Sequence, residues 1–202
     1  MHDIVKPAFG LHPEFIEQNS DEKIKKTLKQ IEQNSHKITA IGEIGLDYYW
    51  VKDEKQRERQ RKLFKDLLTL ATKIKKPVII HSRGAEEDTI KLLKEFPKAK
   101  VHLHCFGGSK KLMEEGIKQG YYFSIPTSIT RSQQFQLLTK LLPEKQMLTE
   151  TDSPYLKHDL KIEYNEPANI IYAVKEIAKI KQISEKEAEE IIYKNYKNLF
   201  GK

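Results

Sequence analysis

The sequence of 202 residues contains a single cysteine, Cys105, and no apolar run long enough to cross a bilayer. One cysteine excludes an internal disulfide and favours a reducing compartment. A membrane-spanning helix needs about 20 consecutive apolar residues, and no basic leader followed by an apolar stretch opens the chain. We therefore expect a cytoplasmic protein without a membrane partner.

Acidic residues are outnumbered by basic ones: 29 Asp and Glu stand against 36 Lys and Arg, which gives a net charge of +7. A basic surface attracts polyanions such as nucleic acid. A single run of lysines is more often the solvated face of a helix. The positive charge therefore indicates a nucleic-acid partner only where it surrounds residues that bind or cleave phosphate groups.

Short β-branched runs alternate with longer segments of helical period. This alternation predicts an α/β fold of parallel strands joined by crossover helices, in one hydrolase domain over residues 1–202. The predicted strands are residues 5–9, 38–44, 78–81, 100–104, 121–124 and 146–149. A complete TIM-type β/α barrel has eight strands in about 250 residues. We expect such a barrel in incomplete form, with about six of the eight strands.

Four candidate metal ligands, Glu43, His81, His104 and Asp152, lie at or near the carboxyl ends of predicted strands. These ends share one mouth of a β/α barrel, where active sites lie. Carboxylates with imidazoles suit Zn, Mn or Mg held with open positions, where bound water ionises near neutral pH. A lone histidine at a strand end is more often structural. Four such residues in register favour a divalent-metal site.

Alternation along the strand places His102 and His104 on the same face, and we prefer His104 because it lies nearer the carboxyl end. Glu43 has two carboxylate oxygens, so that it is able to serve two ions. Asp152 is able both to bind an ion and to accept the proton of its water. Glu43 and Asp152 are therefore the candidate catalytic residues.

Seven short motifs occur in order along nearly the whole chain. They are Gly10-Leu11-His12-Pro13, Gly42-Glu43-Ile44-Gly45-Leu46-Asp47-Tyr48, Pro77-Val78-Ile79-Ile80-His81-Ser82-Arg83, His104-Cys105-Phe106, Glu150-Thr151-Asp152-Ser153-Pro154-Tyr155-Leu156, Asn165-Glu166-Pro167 and Asn198-Leu199-Phe200-Gly201. With this set the sequence resembles the TatD family of metal-dependent deoxyribonucleases, which are amidohydrolase-like barrels. The resemblance implies hydrolysis of phosphodiesters in DNA by a metal-bound hydroxide, with one or two divalent ions as cofactor.

The resemblance also implies a role for each site residue. Glu43 is the metal-bridging carboxylate, His81 and His104 bind one ion, and Asp152 is a ligand and proton acceptor. Arg83 and His12 are candidate substrate-binding residues, because a guanidinium grips phosphate oxygens bidentately. An arginine after a strand also caps neighbouring carbonyls, so this alternative stays open for Arg83.

The sequence departs from the family in one respect. Family members begin with a strand that carries a His-x-His pair for the other ion, and no such pair precedes Gly10. We therefore expect that the first two βα units are absent, in a fragment or in a shortened enzyme with impaired or single-metal chemistry. An open barrel exposes strand edges and apolar interior, so we also expect self-association or a missing N-terminal segment that covers them.

Two other functions remain open. One is an amidohydrolase that acts on a small ester or amide, which the positive charge disfavours modestly. The other is a non-catalytic nucleic-acid-binding or scaffold remnant of the barrel, against which the four ligand types argue. The aromatic residues Tyr48, Tyr49 and Trp50 are able to stack on bases, although aromatic residues at a barrel rim more often pack against their neighbours.

Overall fold

The computed structural model describes residues 5–201. It divides into two compact units, the first ending at Phe106 and the second beginning at Gly107. The described residues contain six strands, and every strand pairing within a unit is parallel. The predicted α/β class is thereby confirmed. No helix in residues 5–201 has the length and apolarity needed to cross a membrane.

The first unit consists of four parallel strands and three helices. The strands are β1 (Ala8–Phe9), β2 (Ala40–Gly45), β3 (Val78–His81) and β4 (Val101–Leu103), paired in chain order. The helices are α1 (Asp21–Gln33), α2 (Glu54–Ile74) and α3 (Glu86–Leu93), and a 3-10 helix covers Pro13–Gln18. Each crossover returns the chain to the same end of the strands, so that all four carboxyl ends lie on one side.

Helix α2 is the main packing element of the first unit. Its N-cap is Asp53, whose Oδ1 accepts a hydrogen bond from the Gln56 amide at 2.9 Å. Its C-cap is Lys75, which adopts a left-handed conformation with φ 56°, and Pro77 then prevents continuation of the helix. Its buried apolar side chains, packed in the core, are Leu63, Phe64, Leu67, Leu68, Leu70 and Ala71.

The second unit contains two parallel strands, β5 (Tyr122–Pro126) and β6 (Met147–Glu150). Its helices are α4 (Lys110–Lys118), α5 (Gln133–Leu141), α6 (Ile170–Lys181) and α7 (Glu185–Phe200). The long connection after β6 is held by buried Asn165, whose Nδ2 donates to Thr151 O at 2.7 Å and to Thr127 Oγ1 at 2.9 Å. This amide therefore fixes the segment that follows β6, in which the last candidate ligand, Asp152, lies.

Element types agree with the sequence predictions, whereas several boundaries differ. The predicted strand 5–9 is reduced to Ala8–Phe9, and the predicted strand 38–44 begins at Ala40. Strand β2 runs to Gly45, so Glu43 lies inside the strand and not at its end. Residues 1–4 and 202 lie outside the described part of the chain, and the single domain over residues 1–202 stays a prediction.

Candidate metal centre

An irregularity in β2 sets the position of Glu43. Ile41 pairs with Val78 and Ile44 with Ile80, so that three steps along β2 match two along β3. The extra residue is a β-bulge, which interrupts the alternation of side chains. The Glu43 side chain is 36% exposed, although Gly42 and Ile44 on either side are buried. The bulge therefore leaves a carboxylate accessible within an otherwise buried strand.

Three imidazoles surround one oxygen of Glu43. Its Oε2 lies 3.7 Å from His12 Nε2, 3.9 Å from His81 Nδ1 and 3.8 Å from His104 Nε2. His81 is the last residue of β3, His104 follows β4, and His12 lies shortly after β1. The separations exceed a hydrogen bond, so the carboxylate faces three nitrogens without pairing directly with any of them.

Asp47 fixes the orientation of His81. His81 Nε2 donates to Asp47 Oδ2 at 2.8 Å. Because a carboxylate only accepts, the proton of the neutral ring lies on Nε2 and the lone pair of Nδ1 faces Glu43. Metal-binding histidines are commonly held in this way by a carboxylate.

Asp47 remains ionised in its buried position. Burial acts to raise the pKa of Asp47, but hydrogen bonds from His81 and from the Trp50 amide outweigh it and hold this pKa below its usual value. A permanently charged acceptor therefore stands behind His81 at neutral pH.

His12 turns a protonated ring nitrogen toward Glu43, whereas His81 turns an unprotonated one. Its Nδ1 accepts a hydrogen bond from the Glu14 amide at 3.3 Å, so the proton of the neutral ring lies on Nε2, toward Glu43. Burial, and then the neighbouring His81, lower the pKa of His12, although Glu43 opposes this. The side chain is therefore suited to donate to an oxygen of a bound anion.

Gln60 of α2 holds the backbone on which these side chains depend. Its Oε1 accepts from the Asp47 amide at 3.0 Å, and its Nε2 donates to Pro13 O at 2.9 Å. One buried amide thus joins the loop after β2 to the residue that follows His12. No role for Asp47 or Gln60 was predicted from the sequence. The burial of Gln60 could have been predicted, because this polar residue stands at helical spacing from Leu63 and Phe64 on the apolar face of α2.

Arg83 lies two residues beyond His81, as the sequence indicated, but against aromatic rings. Its guanidinium carbon is 4.1 Å from the centroid of the Tyr49 ring and 5.7 Å from that of Trp50. Within residues 5–201 Arg83 forms no ion pair and caps no carbonyl through its side chain. Its positive charge is therefore not neutralised by a carboxylate of the described chain.

Asp152 belongs to the second unit. It lies two residues beyond the end of β6 with φ 53°, a left-handed conformation that Asp adopts more readily than most residues. Its carbonyl accepts from the Tyr155 amide at 2.8 Å. Its part in the metal centre stays a prediction.

The donor set in the first unit fits a divalent ion. The candidate ligand atoms of Glu43 and His81, together with an imidazole nitrogen of His12, all lie within 4.8 Å of one another. Two ligands that each stand about 2.1 Å from an ion are separated by at most about 4.2 Å, and Glu43 meets this limit with both His81 and His104. The mixture of imidazole and carboxylate suits Zn, Mn and related ions.

Known proteins resemble this chain over nearly its whole length. The family model described as TatD related DNase matches residues 1–201. Deoxyribonuclease TATDN3 of Homo sapiens is 40% identical, over 98% of this chain and 73% of its own length. A metal-dependent hydrolase of Methanocaldococcus jannaschii, MJ1582, is 38% identical, over 93% of this chain and 72% of its own length.

A solved structure agrees with these matches. The crystal structure of YJJV, a TATD homolog from Escherichia coli, superposes with a TM-score of 0.87 at 28% identity. The match covers 98% of this chain and 77% of the other.

Proposed function

Because the chain belongs to the TatD related DNase family, we propose that it hydrolyses phosphodiester bonds in DNA with the aid of a divalent metal ion. Membership makes it a metal-dependent hydrolase of the deoxyribonuclease type. The observation that carries the proposal is the convergence of His12, His81 and His104 on Glu43 Oε2, within 3.9 Å in each case.

Glu43, His81, His104 and Asp152 would hold the metal. A bound divalent ion activates water and neutralises charge on the phosphate. His81 is kept in the ligand tautomer by Asp47, whose carboxylate accepts its Nε2 proton. Asp152 would accept the proton of the attacking water. The water oxygen would then bond to phosphorus as the P–O bond to the departing sugar oxygen breaks, and that oxygen would take up a proton.

The substrate is positioned by two further residues. The Nε2–H of His12, which faces Glu43, donates to a phosphate oxygen. Arg83 supplies a guanidinium that no carboxylate of residues 5–201 neutralises, and a guanidinium binds phosphate oxygens strongly. The net charge of +7 draws the polyanion toward the protein.

Hydrolysis of single-stranded and duplex DNA with Mg²⁺, Mn²⁺ or Zn²⁺ tests the proposal. We expect cleavage that a chelator abolishes, and loss of both metal binding and cleavage in Glu43→Gln. Glu17→Gln, at an exposed glutamate of the same unit, is the control and should keep both. Hydrolysis of small esters or amides but not of DNA would contradict the proposal in favour of an amidohydrolase. DNA binding without hydrolysis under any of the three ions would favour a scaffold.

The finer parts of the proposal are each open to measurement. We propose Mg, Mn or Zn as the resident metal, a cytoplasmic location, and self-association of the purified chain. The metal is identified by elemental analysis, and the location by fractionation of cells. Self-association is measured by light scattering after gel filtration. RNA of the same sequence, assayed beside the DNA, decides between the two nucleic acids.

A further inference from the structure

An apolar groove in the second unit, called the α6–α7 groove below, borders the free edge of β6. Strand β6 pairs with β5 along one edge, and within residues 5–201 no strand pairs with its other edge. Helices α6 and α7 pack against each other and against β6. The groove has a volume of about 450 Å³, and its lining includes Leu148, Ile170, Ile171, Val174, Ile192 and Tyr193.

Helix α7 turns an aromatic ring to solvent on the side opposite its buried face. Ala188, Asn195 and Leu199 are buried, and Tyr193, two residues before Asn195, lies on the opposite side of the helix because one turn takes 3.6 residues. Tyr193 is 63% exposed, and Ile171 of α6 is 43% exposed. Single exposed apolar residues are ordinary, but these two border the same groove, which is typical of a docking surface.

The charge along the outer face of α7 changes sign on either side of Tyr193. Glu189 and Glu190 precede it, and Lys194 and Lys197 follow it. The helix dipole favours acidic residues in the first turn and basic residues in the last turn only, whereas Glu189, Glu190 and Lys194 lie outside those turns. In the part of the chain that the structure describes, the side chains of these three residues form no ion pair. Their charges are therefore available to a partner.

We propose that a second copy of this chain covers the α6–α7 groove, with the two α7 helices antiparallel about a two-fold axis near Tyr193. A two-fold interface brings the same patch of both copies together. Tyr193 lies at the middle of α7, which spans Glu185–Phe200, so that this axis lets the whole helix pair with its equivalent. Residues at equal distances from the axis then face each other, and Glu189 faces Lys197 of the second copy.

The distribution of charge is what identifies a second copy as the occupant. In the antiparallel arrangement the acidic half of each α7 lies opposite the basic half of the other, so that unlike charges meet at two symmetric places. A parallel arrangement would place like charges together. Complementary charges fix orientation and register more than they add affinity, and the apolar residues of the groove supply most of the binding free energy.

The size of this face predicts a weak dimer. Helix α7 has 16 residues and is about 24 Å long, and two helices side by side are about 20 Å wide, which gives roughly 500 Å² for each copy. Stable complexes bury about 800 Å² on each side, and smaller interfaces are weak. We expect a reversible dimer with a dissociation constant of roughly 1–100 μM. This inference rests on the self-association proposed above and assigns a surface to it.

Sedimentation equilibrium of the full chain over a range of concentrations tests the inference by exchange of charge. Glu189→Lys and Lys197→Glu each place like charges opposite one another at two places, and each should weaken the dimer at least about 10-fold. The double variant Glu189→Lys/Lys197→Glu places unlike charges opposite one another again and should dimerise nearly as wild type. Tyr193→Ala should weaken the dimer roughly 10-fold. Tyr164→Ala, at another exposed ring (66%) of the second unit, is the control and should dimerise as wild type.

The outcomes separate the surface from self-association itself. A chain that stays monomeric well above the expected dissociation constant would overturn both, and the groove would then belong to another occupant. A dimer that Tyr193→Ala and the single reversals leave unchanged would overturn the inference alone. Single reversals that weaken the dimer without recovery in the double variant would overturn the antiparallel pairing, provided that circular dichroism shows each variant folded. None of these measurements depends on hydrolysis, so the nuclease proposal is tested separately.

Discussion

At the residue scale, Asp47 is the side chain on which His81 most depends. In Asp47→Asn an amide nitrogen or a neutral oxygen faces His81, so the ring loses its charged acceptor and its fixed tautomer. We expect metal affinity to fall about 10- to 100-fold, the usual effect of losing such a partner. Calorimetric titration with Mn²⁺ or Zn²⁺ measures it. Asp66→Asn, at an exposed position of α2, is the control, and equal affinities in the two variants would contradict the assignment.

Tyr48 gives a residue-scale prediction for alkaline pH. Burial, with Asp88 adding to it and Arg61 opposing it, raises the pKa of Tyr48 from 10.0 to about 12. The folded state therefore keeps a proton that the unfolded chain releases first, so this contribution to stability is complete below pH 10 and is lost as pH rises toward 12. Urea unfolding across this range should show a steeper loss in wild type than in Tyr48→Phe. Tyr155→Phe, at an exposed position, should follow wild type.

At the element scale, the close approach of β2 and β3 depends on Gly45. Its φ is 137°, and an added Cβ would stand 2.1 Å from His81 O. In Gly45→Ala the two strands must separate at the residue that bears the imidazole. We expect a loss of about 3–5 kcal/mol in the free energy of unfolding, together with weaker metal binding.

Gly120→Ala is the matched control for this prediction. Gly120 also has a positive φ, of 79°, but an added Cβ meets nothing within 4 Å. Only the backbone strain then remains, at about 1–2 kcal/mol. Urea denaturation of both variants separates strain from collision. If Gly45→Ala and Gly120→Ala lowered the free energy of unfolding equally, β2 and β3 would have to adjust to the extra methyl group without cost.

The elements also show what the sequence could and could not predict. His81 and His104 were located by a general rule, since the carboxyl ends of parallel strands share one side whatever the details of packing. The bulge at Glu43 escaped prediction because it exists only in the register between β2 and β3. Gln60 escaped because a polar residue on an apolar helix face reveals no partner until the loop after β2 is in place.

At the scale of the whole molecule, metal binding and folding are coupled. The proposed ligands Glu43, His81 and His104 lie within β2, at the end of β3 and just after β4, so the proposed site exists only in the folded chain. An ion at 100 times its dissociation constant should add about 2.7 kcal/mol to the free energy of unfolding. Thermal unfolding with chelator and with Mn²⁺ should show this as a rise in Tm. This rise in Tm should be absent in Glu43→Gln and unchanged in Glu17→Gln. A rise of equal size in both variants would show that the ion binds away from Glu43.

Some residues near the candidate metal centre are constrained by contacts with the backbone, whereas others are exposed and tolerate substitution. A Cβ added at Gly45 would collide with His81 O, and the Gln60 side chain bonds two backbone groups. We therefore expect substitutions at either position to lower the free energy of unfolding. Positions 49, 50 and 83 point at solvent on one side and carry no such contact through their side chains. Directed evolution confined to these three positions would vary an exposed surface while it leaves the proposed metal ligands unchanged. This exposed surface and the candidate metal centre are therefore separately adjustable in this fold.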